Sequence, residues 1–93
     1  MKIKHIEGEK NGNIMMYTLS TCVWCKKIKK YLKDLGVEYH YIDVDLLEGA
    51  EKEEVMQQMK EYTSEVSYPM LVINEKEYII GYKPDEIKEK LGL

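Results

Sequence analysis

The chain has 93 residues, of which 44% are hydrophobic and 33% are charged, and its formal net charge is −3. This length allows one domain over residues 1–93 and excludes a second. The acidic balance argues against a nucleic-acid-binding protein, which usually carries a concentrated basic face. No apolar run approaches the roughly 20 residues that a membrane-spanning helix needs. We therefore expect neither a nucleic acid nor a membrane as partner.

The N-terminal segment and the cysteine content bear on the cellular compartment, which we expect to be the cytoplasm. Residues 1–10 (MKIKHIEGEK) carry charges and a glycine where a signal peptide would need a continuous apolar stretch, so we expect a cytoplasmic protein. The chain has two cysteines, Cys22 and Cys25, and a disulfide between them would close too small a loop to act as a structural staple. In a cytoplasmic chain such a pair indicates redox chemistry or metal binding.

The first half of the chain predicts a strand, a helix and a second strand. Residues 13–19 (NIMMYTL) form a short apolar run between turn-like segments, which predicts the strand. After Cys22, apolar residues recur at helical spacing over 28–35, and Gly36 follows at the position of a C-terminal cap. Residues 38–44 (EYHYIDV) are rich in aromatic and β-branched side chains and predict the second strand.

The second half predicts a helix, a hairpin and a closing helix. Residues 48–62 are polar helix formers, and their apolar members share one face: Val55, Met56, Met59 and Tyr62. Residues 70–73 are uninterruptedly apolar, as expected for a strand that is buried on both faces. A polar turn over 74–77 leads to a last strand at 78–80. Pro84 occupies a favoured first position of a helix.

These elements predict an α/β fold in the order β-α-β-α-β-β-α. The first two strands must be parallel because a helix connects them, and the last two antiparallel because a short turn does. The result is a four-stranded mixed sheet with flanking helices, which is the thioredoxin-type order. Residues 2–6 (KIKHI) alternate in polarity and are compatible with an extra N-terminal edge strand.

The segment Cys22-Val23-Trp24-Cys25 lies between the first strand and the first turn of a helix. Unpaired backbone N–H groups and the positive end of the helix dipole face the first cysteine there and favour its thiolate, the attacking species in disulfide exchange. We therefore predict that Cys22 is the nucleophile. Cys25, one helical turn later, is expected to be less exposed, to have a higher pKa, and to resolve the mixed disulfide by attacking Cys22.

The neighbours of the cysteines allow two interpretations each. Lys26 and Lys27 add positive charge that favours the thiolate, or they are only solvent-exposed residues on one face of the helix. Trp24 offers a flat apolar surface to a partner, or it is a half-buried core residue. For the lysines we favour the solvated face, and for Trp24 the contact surface.

Metal binding is a weaker interpretation of the same spacing. A closed structural zinc site normally needs four protein ligands, and the chain adds to its cysteines only His5 and His40, which we expect to be structural or surface residues. The acidic stretch over residues 43–54 resembles a metal or docking site. We interpret it instead as a helix start that complements the dipole, followed by a solvated face.

Three segments, in order, resemble the glutaredoxin family. They are residues 17–25 (YTLSTCVWC), Ser67-Tyr68-Pro69 before an apolar strand, and Gly81 after the next strand. The resemblance runs from about residue 15 to the C-terminus and implies a thioredoxin fold and thiol–disulfide oxidoreductase activity. It also implies a cis Tyr68–Pro69 bond beside the cysteine pair. The substrate-binding residues that we expect are Trp24, Tyr68, Pro69, Gly81 and Tyr82.

Two departures from that family concern glutathione. Members that use glutathione usually carry a lysine at the position of Leu19 and a pair of glycines where this chain has Gly81-Tyr82. We therefore expect no cofactor beyond the dithiol itself and only weak recognition of glutathione. Residues 81–87 (GYKPDEI) are similar to NrdH-type redoxins, which implies reduction by a thioredoxin reductase-type system and ribonucleotide reductase as a partner.

Three functions from different classes follow. The leading one is a monomeric electron carrier that reduces disulfides in a protein partner through Cys22 and Cys25, with a thioredoxin reductase-type or a glutathione system as reductant. The alternative, which the resemblance implies because some glutaredoxins do so, is a binding or transfer module that holds an iron–sulfur cluster across a dimer through the first cysteine and glutathione, since thiolates suit iron. The third, an inert adaptor, would require idle cysteines.

Overall fold

The computed structural model describes residues 3–93, in which a five-stranded mixed sheet lies between helices. Its strands are β1 (Lys4–Ile6), β2 (Ile14–Thr18), β3 (Tyr39–Asp43), β4 (Met70–Ile73) and β5 (Glu77–Ile80). Its helices are α1 (Val23–Leu35), α2 (Gly49–Lys60) and α3 (Pro84–Lys90), and a 3₁₀ turn covers Val44–Leu46.

The strands lie in the spatial order β1-β3-β2-β4-β5. Strands β2 and β3 are parallel, whereas β4 is antiparallel to both β2 and β5. The predicted element order and strand directions are therefore confirmed. The extra N-terminal strand is present as β1, antiparallel to β3; residue 2 of the predicted segment lies outside the described residues.

The apolar side chains form one cluster on each face of the sheet. The first packs β2 and β4 against α1 and α3 and includes Ile14, Met16, Ile28, Leu32, Leu71 and Ile87. The second packs the opposite face against α2 and includes Tyr17, Ile42, Val55, Met59, Met70 and Val72. Successive residues of β4 alternate between the clusters, so that all four are buried. This confirms the prediction that residues 70–73 form a strand that is buried on both faces.

Two local signals set the ends of helices as predicted. Gly36 ends α1 with a φ of +73°, a conformation that favours glycine, and its N–H donates to the carbonyl groups of Leu32 and Lys33. Pro84 is the first residue of α3.

Several predicted boundaries are wrong by one or two residues. The strand predicted over 38–44 ends at Asp43, because the chain turns there into Val44–Leu46. The helix predicted over 48–62 is shorter, Gly49–Lys60. Glu77 belongs to β5 rather than to the turn, since it pairs with Ile73 across the hairpin. No helix among residues 3–93 is long and apolar enough to cross a membrane.

Candidate active site

Cys22 is the N-cap residue of α1, with an extended backbone (φ −81°, ψ 117°). Its sulfur accepts a hydrogen bond from the backbone N–H of Cys25, with an N···S distance of 3.2 Å. Its own N–H donates to the carbonyl of Leu19, also at 3.2 Å, which fixes the turn between β2 and α1. The side chain is partly exposed. The sulfur therefore lies where the N–H groups of a helix N-terminus favour negative charge.

Cys25 lies one turn further along α1 and is fully buried, with 0% of its surface exposed. Burial raises the pKa of its thiol to about 12, and a hydrogen bond to Cys22 acts in the same direction. A backbone hydrogen bond with Leu19 and the charge of Lys29 oppose the rise in pKa. The expected difference between the cysteines is confirmed for Cys25: it is the less exposed thiol, its pKa is raised, and it is protonated at neutral pH.

A cavity of about 220 Å³ brings together the residues that were predicted to bind substrate: Trp24, Tyr68, Pro69, Gly81 and Tyr82. The Tyr68–Pro69 bond is cis, as predicted. The N–H of Gly81 donates to the carbonyl of Pro69 at 2.9 Å, and the φ of Gly81 is +90°, which explains a glycine at this position. The residues are thus assembled at one place, and substrate binding by them stays a prediction.

The aromatic side chains at this cavity form an ordered exposed surface. Trp24 is 53% exposed, and its ring stacks on Tyr82 with a centroid distance of 5.8 Å. Tyr31 meets Tyr82 edge-on at 6.4 Å, and its hydroxyl donates to the carbonyl of Pro84 at 3.1 Å. The ammonium of Lys27 lies 4.4 Å from the Trp24 ring centroid. Trp24 is therefore a surface residue and not a core residue. Tyr31 supports the Tyr82 ring, which the sequence analysis did not predict.

Tyr68 contributes a donor and a free stretch of main chain. Its hydroxyl donates to the sulfur of Met56 at 3.2 Å. Burial first, and then the electrostatic interactions with Asp45 and Cys25, raise the pKa of Tyr68, so the hydroxyl remains protonated at neutral pH. No backbone–backbone hydrogen bond between residues 3 and 93 involves its main chain. That main chain is available to an extended segment of another molecule.

The glutaredoxin family model matches residues 14–79, which include both cysteines and the cis proline. The chain belongs to the glutaredoxin family. Accordingly it is a thiol–disulfide oxidoreductase in general terms, with Cys22 and Cys25 as its redox-active pair.

Solved structures agree with this assignment. A glutaredoxin from Methanosarcina mazei is 46% identical, with a TM-score of 0.92 over 100% of this chain and 90% of its own. Methanoredoxin from Methanosarcina acetivorans is 48% identical, with a TM-score of 0.88 over 92% and 90% of the two chains. NrdH-redoxin from Escherichia coli is 22% identical, with a TM-score of 0.68 over 83% and 92%. The last comparison shows a shared fold.

The acidic stretch over residues 43–54 divides into two parts. Glu51 lies in the first turn of α2 and is followed by exposed acidic residues, which confirms the interpretation as a helix start and a solvated face. Asp43 and Asp45 lie before α2, at the 3₁₀ turn Val44–Leu46, and make specific contacts that were not predicted. Asp43 accepts a hydrogen bond from the Thr18 hydroxyl at 2.6 Å and lies 3.5 Å from the ammonium of Lys29. Asp45 accepts two hydrogen bonds from Ser20. The sequence gives no signal for these contacts because the partners from β2 and the following turn are about 25 residues away in the chain.

The remaining candidates lie apart from this arrangement. His5 and His40 face each other across β1 and β3 with their rings stacked at 4.6 Å, and His5 lies 3.4 Å from a carboxylate oxygen of Glu38. Lys26 is exposed on α1. Among residues 3–93, no group of three or more His, Cys, Asp or Glu side chains is arranged to hold a metal ion. A wider groove of about 630 Å³ follows α2 and contains neither cysteine.

Proposed function

We propose that this glutaredoxin is a dithiol electron carrier that reduces disulfides in partner proteins through its C-V-W-C segment. The asymmetry of the two thiols carries the proposal: the Cys22 sulfur is accessible at a helix N-terminus, whereas Cys25 is buried and protonated. Such a pair divides the reaction into an attacking and a resolving step.

The reaction transfers two electrons without a further cofactor. The Cys22 thiolate attacks one sulfur of the target disulfide, forms a mixed disulfide, and releases the other target sulfur as a thiolate that takes up a proton. Cys25 then loses its proton and attacks the Cys22 sulfur. The Cys22–Cys25 disulfide forms, the bond between Cys22 and the target breaks, and the target leaves as a dithiol.

The surface around Cys22 supports a protein as substrate. The Trp24 and Tyr82 rings offer a flat apolar area, and aromatic side chains of this kind are enriched in protein interfaces. The unpaired main chain of Tyr68 can bond to an extended peptide segment. The cavity between these groups is small, about 220 Å³, and we expect it to accept one side chain of the partner.

The reductant in this proposal is a thioredoxin reductase-type dithiol system. Leu19 places no cation in the segment before Cys22, and the exposed Tyr82 side chain follows Gly81. Both features disfavour a ligand with two carboxylates that must approach backbone amides. Ribonucleotide reductase is the partner implied by the similarity of residues 81–87 to NrdH-type redoxins, and it belongs to this proposal.

Trapping of the mixed disulfide tests the proposed roles. Wild type, Cys22→Ser and Cys25→Ser are incubated with insulin as a model protein disulfide and analysed by mass spectrometry after acid quenching. We expect Cys25→Ser to accumulate an adduct on Cys22 and Cys22→Ser to form none. Equal adduct formation on Cys25 in the Cys22→Ser protein would contradict the division of labour.

An iron–sulfur cluster fits the site less well. Clusters are commonly held by four thiolates, whereas each chain supplies two cysteines, of which Cys25 is fully buried. The alternative therefore needs a second copy of the chain and glutathione thiolates in addition to Cys22, and no step above involves a cluster. The visible absorption spectrum after anaerobic purification tests this alternative, and we expect no absorption band of a cluster.

A further inference from the structure

Lys29 lies one helical turn after Cys25 on α1, at the i+4 position, where side chains of a helix lie on the same face. Its ammonium is 3.5 Å from a carboxylate oxygen of Asp43, at the end of β3. That oxygen also accepts a hydrogen bond from the hydroxyl of Thr18, at the end of β2, which is fully buried. Three elements of the fold thus meet at the lysine that follows the buried cysteine.

Further contacts hold Lys29 in place. Its ammonium lies 3.9 Å from the ring centroid of Tyr41, and its carbonyl accepts a hydrogen bond from the Tyr39 hydroxyl at 3.4 Å. The side chain is 23% exposed, whereas that of the next residue, Lys30, is 78% exposed. The Lys29 charge is therefore held beside the Asp43 carboxylate and is less screened by water than the Lys30 charge.

The resolving step needs such a charge. Cys25 must become a thiolate, which burial opposes. Besides burial, the groups that act on its ionisation are Cys22, the backbone of Leu19 and Lys29, and Lys29 is the one cation among them in the described part of the chain. In the mixed disulfide Cys22 carries no charge and no longer repels a second thiolate, whereas the attraction by Lys29 remains.

We propose that Lys29, held by Asp43, is the positioning residue for the second half of the reaction, where it stabilises the Cys25 thiolate as that thiolate attacks the mixed disulfide. This inference rests on the proposed dithiol function. In the step, the proton of Cys25 passes to solvent and the new S–S bond joins Cys25 to Cys22. The bond between Cys22 and the partner breaks, and the partner sulfur leaves with the electron pair and takes up a proton.

Stopped-flow kinetics with 5,5′-dithiobis(2-nitrobenzoate) separate the two steps, since each releases one coloured thiolate. The first phase reports attack by Cys22, and the second reports attack by Cys25. The proteins compared are wild type, Lys29→Met, Lys29→Gln, Lys29→Arg and, as the matched control on the same helix, Lys30→Met. Lys29→Gln removes the charge but retains a hydrogen-bond donor for Asp43. It therefore provides the neutral variant for the test if Lys29→Met does not fold.

We expect the two neutral variants to slow the second phase about three- to tenfold at pH 7, since a tenfold loss of thiolate corresponds to one pKa unit. The rate of the second phase should begin to rise at higher pH in these variants than in the wild type. The rate of the first phase should not change. Lys29→Arg should restore the second phase, and Lys30→Met should behave as wild type.

A second phase that is unchanged in Lys29→Gln would overturn the inference, as would a Lys29→Arg protein as slow as Lys29→Gln. Absence of the first phase in the wild type would instead contradict the proposed dithiol function. The two failures are therefore distinguishable.

Discussion

Asp45 accepts two hydrogen bonds from Ser20, one from the backbone N–H at 2.8 Å and one from the hydroxyl at 2.5 Å. These bonds tie the turn that follows β3 to the segment that leads into Cys22. The bond from the Ser20 hydroxyl, and then the bond from its backbone, lower the pKa of Asp45 below its usual value of 3.8. The ionised carboxylate is therefore the form that holds this segment.

Replacement of Asp45 by alanine should slow the attack by Cys22, because the segment before the nucleophile loses its anchor. We expect a reduction of roughly two- to tenfold, less than the roughly 100-fold effect of a full 1 Å misplacement of a reacting group. The measurement is the first-phase rate of disulfide reduction at pH 7. Glu48→Ala is the matched control, since Glu48 is also acidic and makes no side-chain capping bond.

The same contact has a defined pH dependence. Because the folded-state pKa of Asp45 is lowered, its contribution to stability is present above the unfolded value of 3.8 and is lost as the pH falls through the lower folded value. The difference in stability between wild type and Asp45→Asn should therefore shrink in that acidic range. A difference that stays constant down to pH 2 would contradict the assignment.

Cys25 should be nearly inert toward alkylating agents at neutral pH. Its pKa is raised to about 12, first by burial, so in the Cys22→Ser protein the remaining thiol is protonated and its thiolate fraction grows as the pH rises toward that value. Iodoacetamide labelling followed by mass spectrometry gives the rate. We expect slow labelling at pH 7 that accelerates with pH, and rapid labelling at pH 7 in the same protein unfolded in urea. Labelling of the folded protein as fast as the unfolded one at pH 7 would contradict a buried thiol.

Trp24 should matter for protein substrates and not for small disulfides. Trp24→Ala removes the exposed ring that stacks on Tyr82, so we expect kcat/KM for a protein disulfide to fall about five- to thirtyfold, the effect of about 1–2 kcal/mol at an interface. Tyr78→Ala is the matched control, because Tyr78 is likewise an exposed aromatic residue but is not among those lining the cavity. An equal loss with a small aromatic disulfide would argue that Trp24 supports the cysteines instead of the partner.

The sequence predicts well what depends on local order and poorly what depends on distant pairs. The apolar run over 70–73, the cap at Gly36 and the strand-to-helix position of Cys22 are local signals, and the structure confirms them. The contacts of Asp43 and Asp45 are different, because each joins segments about 25 residues apart. In the sequence, an acidic residue whose carboxylate is exposed on a helix cannot be distinguished from one whose carboxylate anchors the segment before the nucleophile. Such pairs become visible only when the fold brings β2 beside β3.

Reduced glutathione should be a poor reductant for this protein, and a flavin-dependent thioredoxin reductase a better one. Glutathione brings two carboxylates, which binding sites recognise with cations and bare backbone amides. Leu19 supplies no cation, and Tyr82 adds an exposed ring beside Gly81. The loss of one charged partner costs about 1–3 kcal/mol, which corresponds to roughly tenfold weaker binding or more.

The substitution Leu19→Lys provides the direct comparison. Turnover of a model disulfide is measured with each reducing system at matched electron supply. We expect the added lysine to raise the glutathione-dependent rate and to leave the thioredoxin reductase-dependent rate unchanged. Leu93→Lys is the matched control, because it adds the same charge at an exposed residue beyond the C-terminal end of α3. Rapid turnover of the wild type with glutathione, unimproved by Leu19→Lys, would contradict this prediction and would indicate that another cation, such as the exposed Lys83, recognises the ligand.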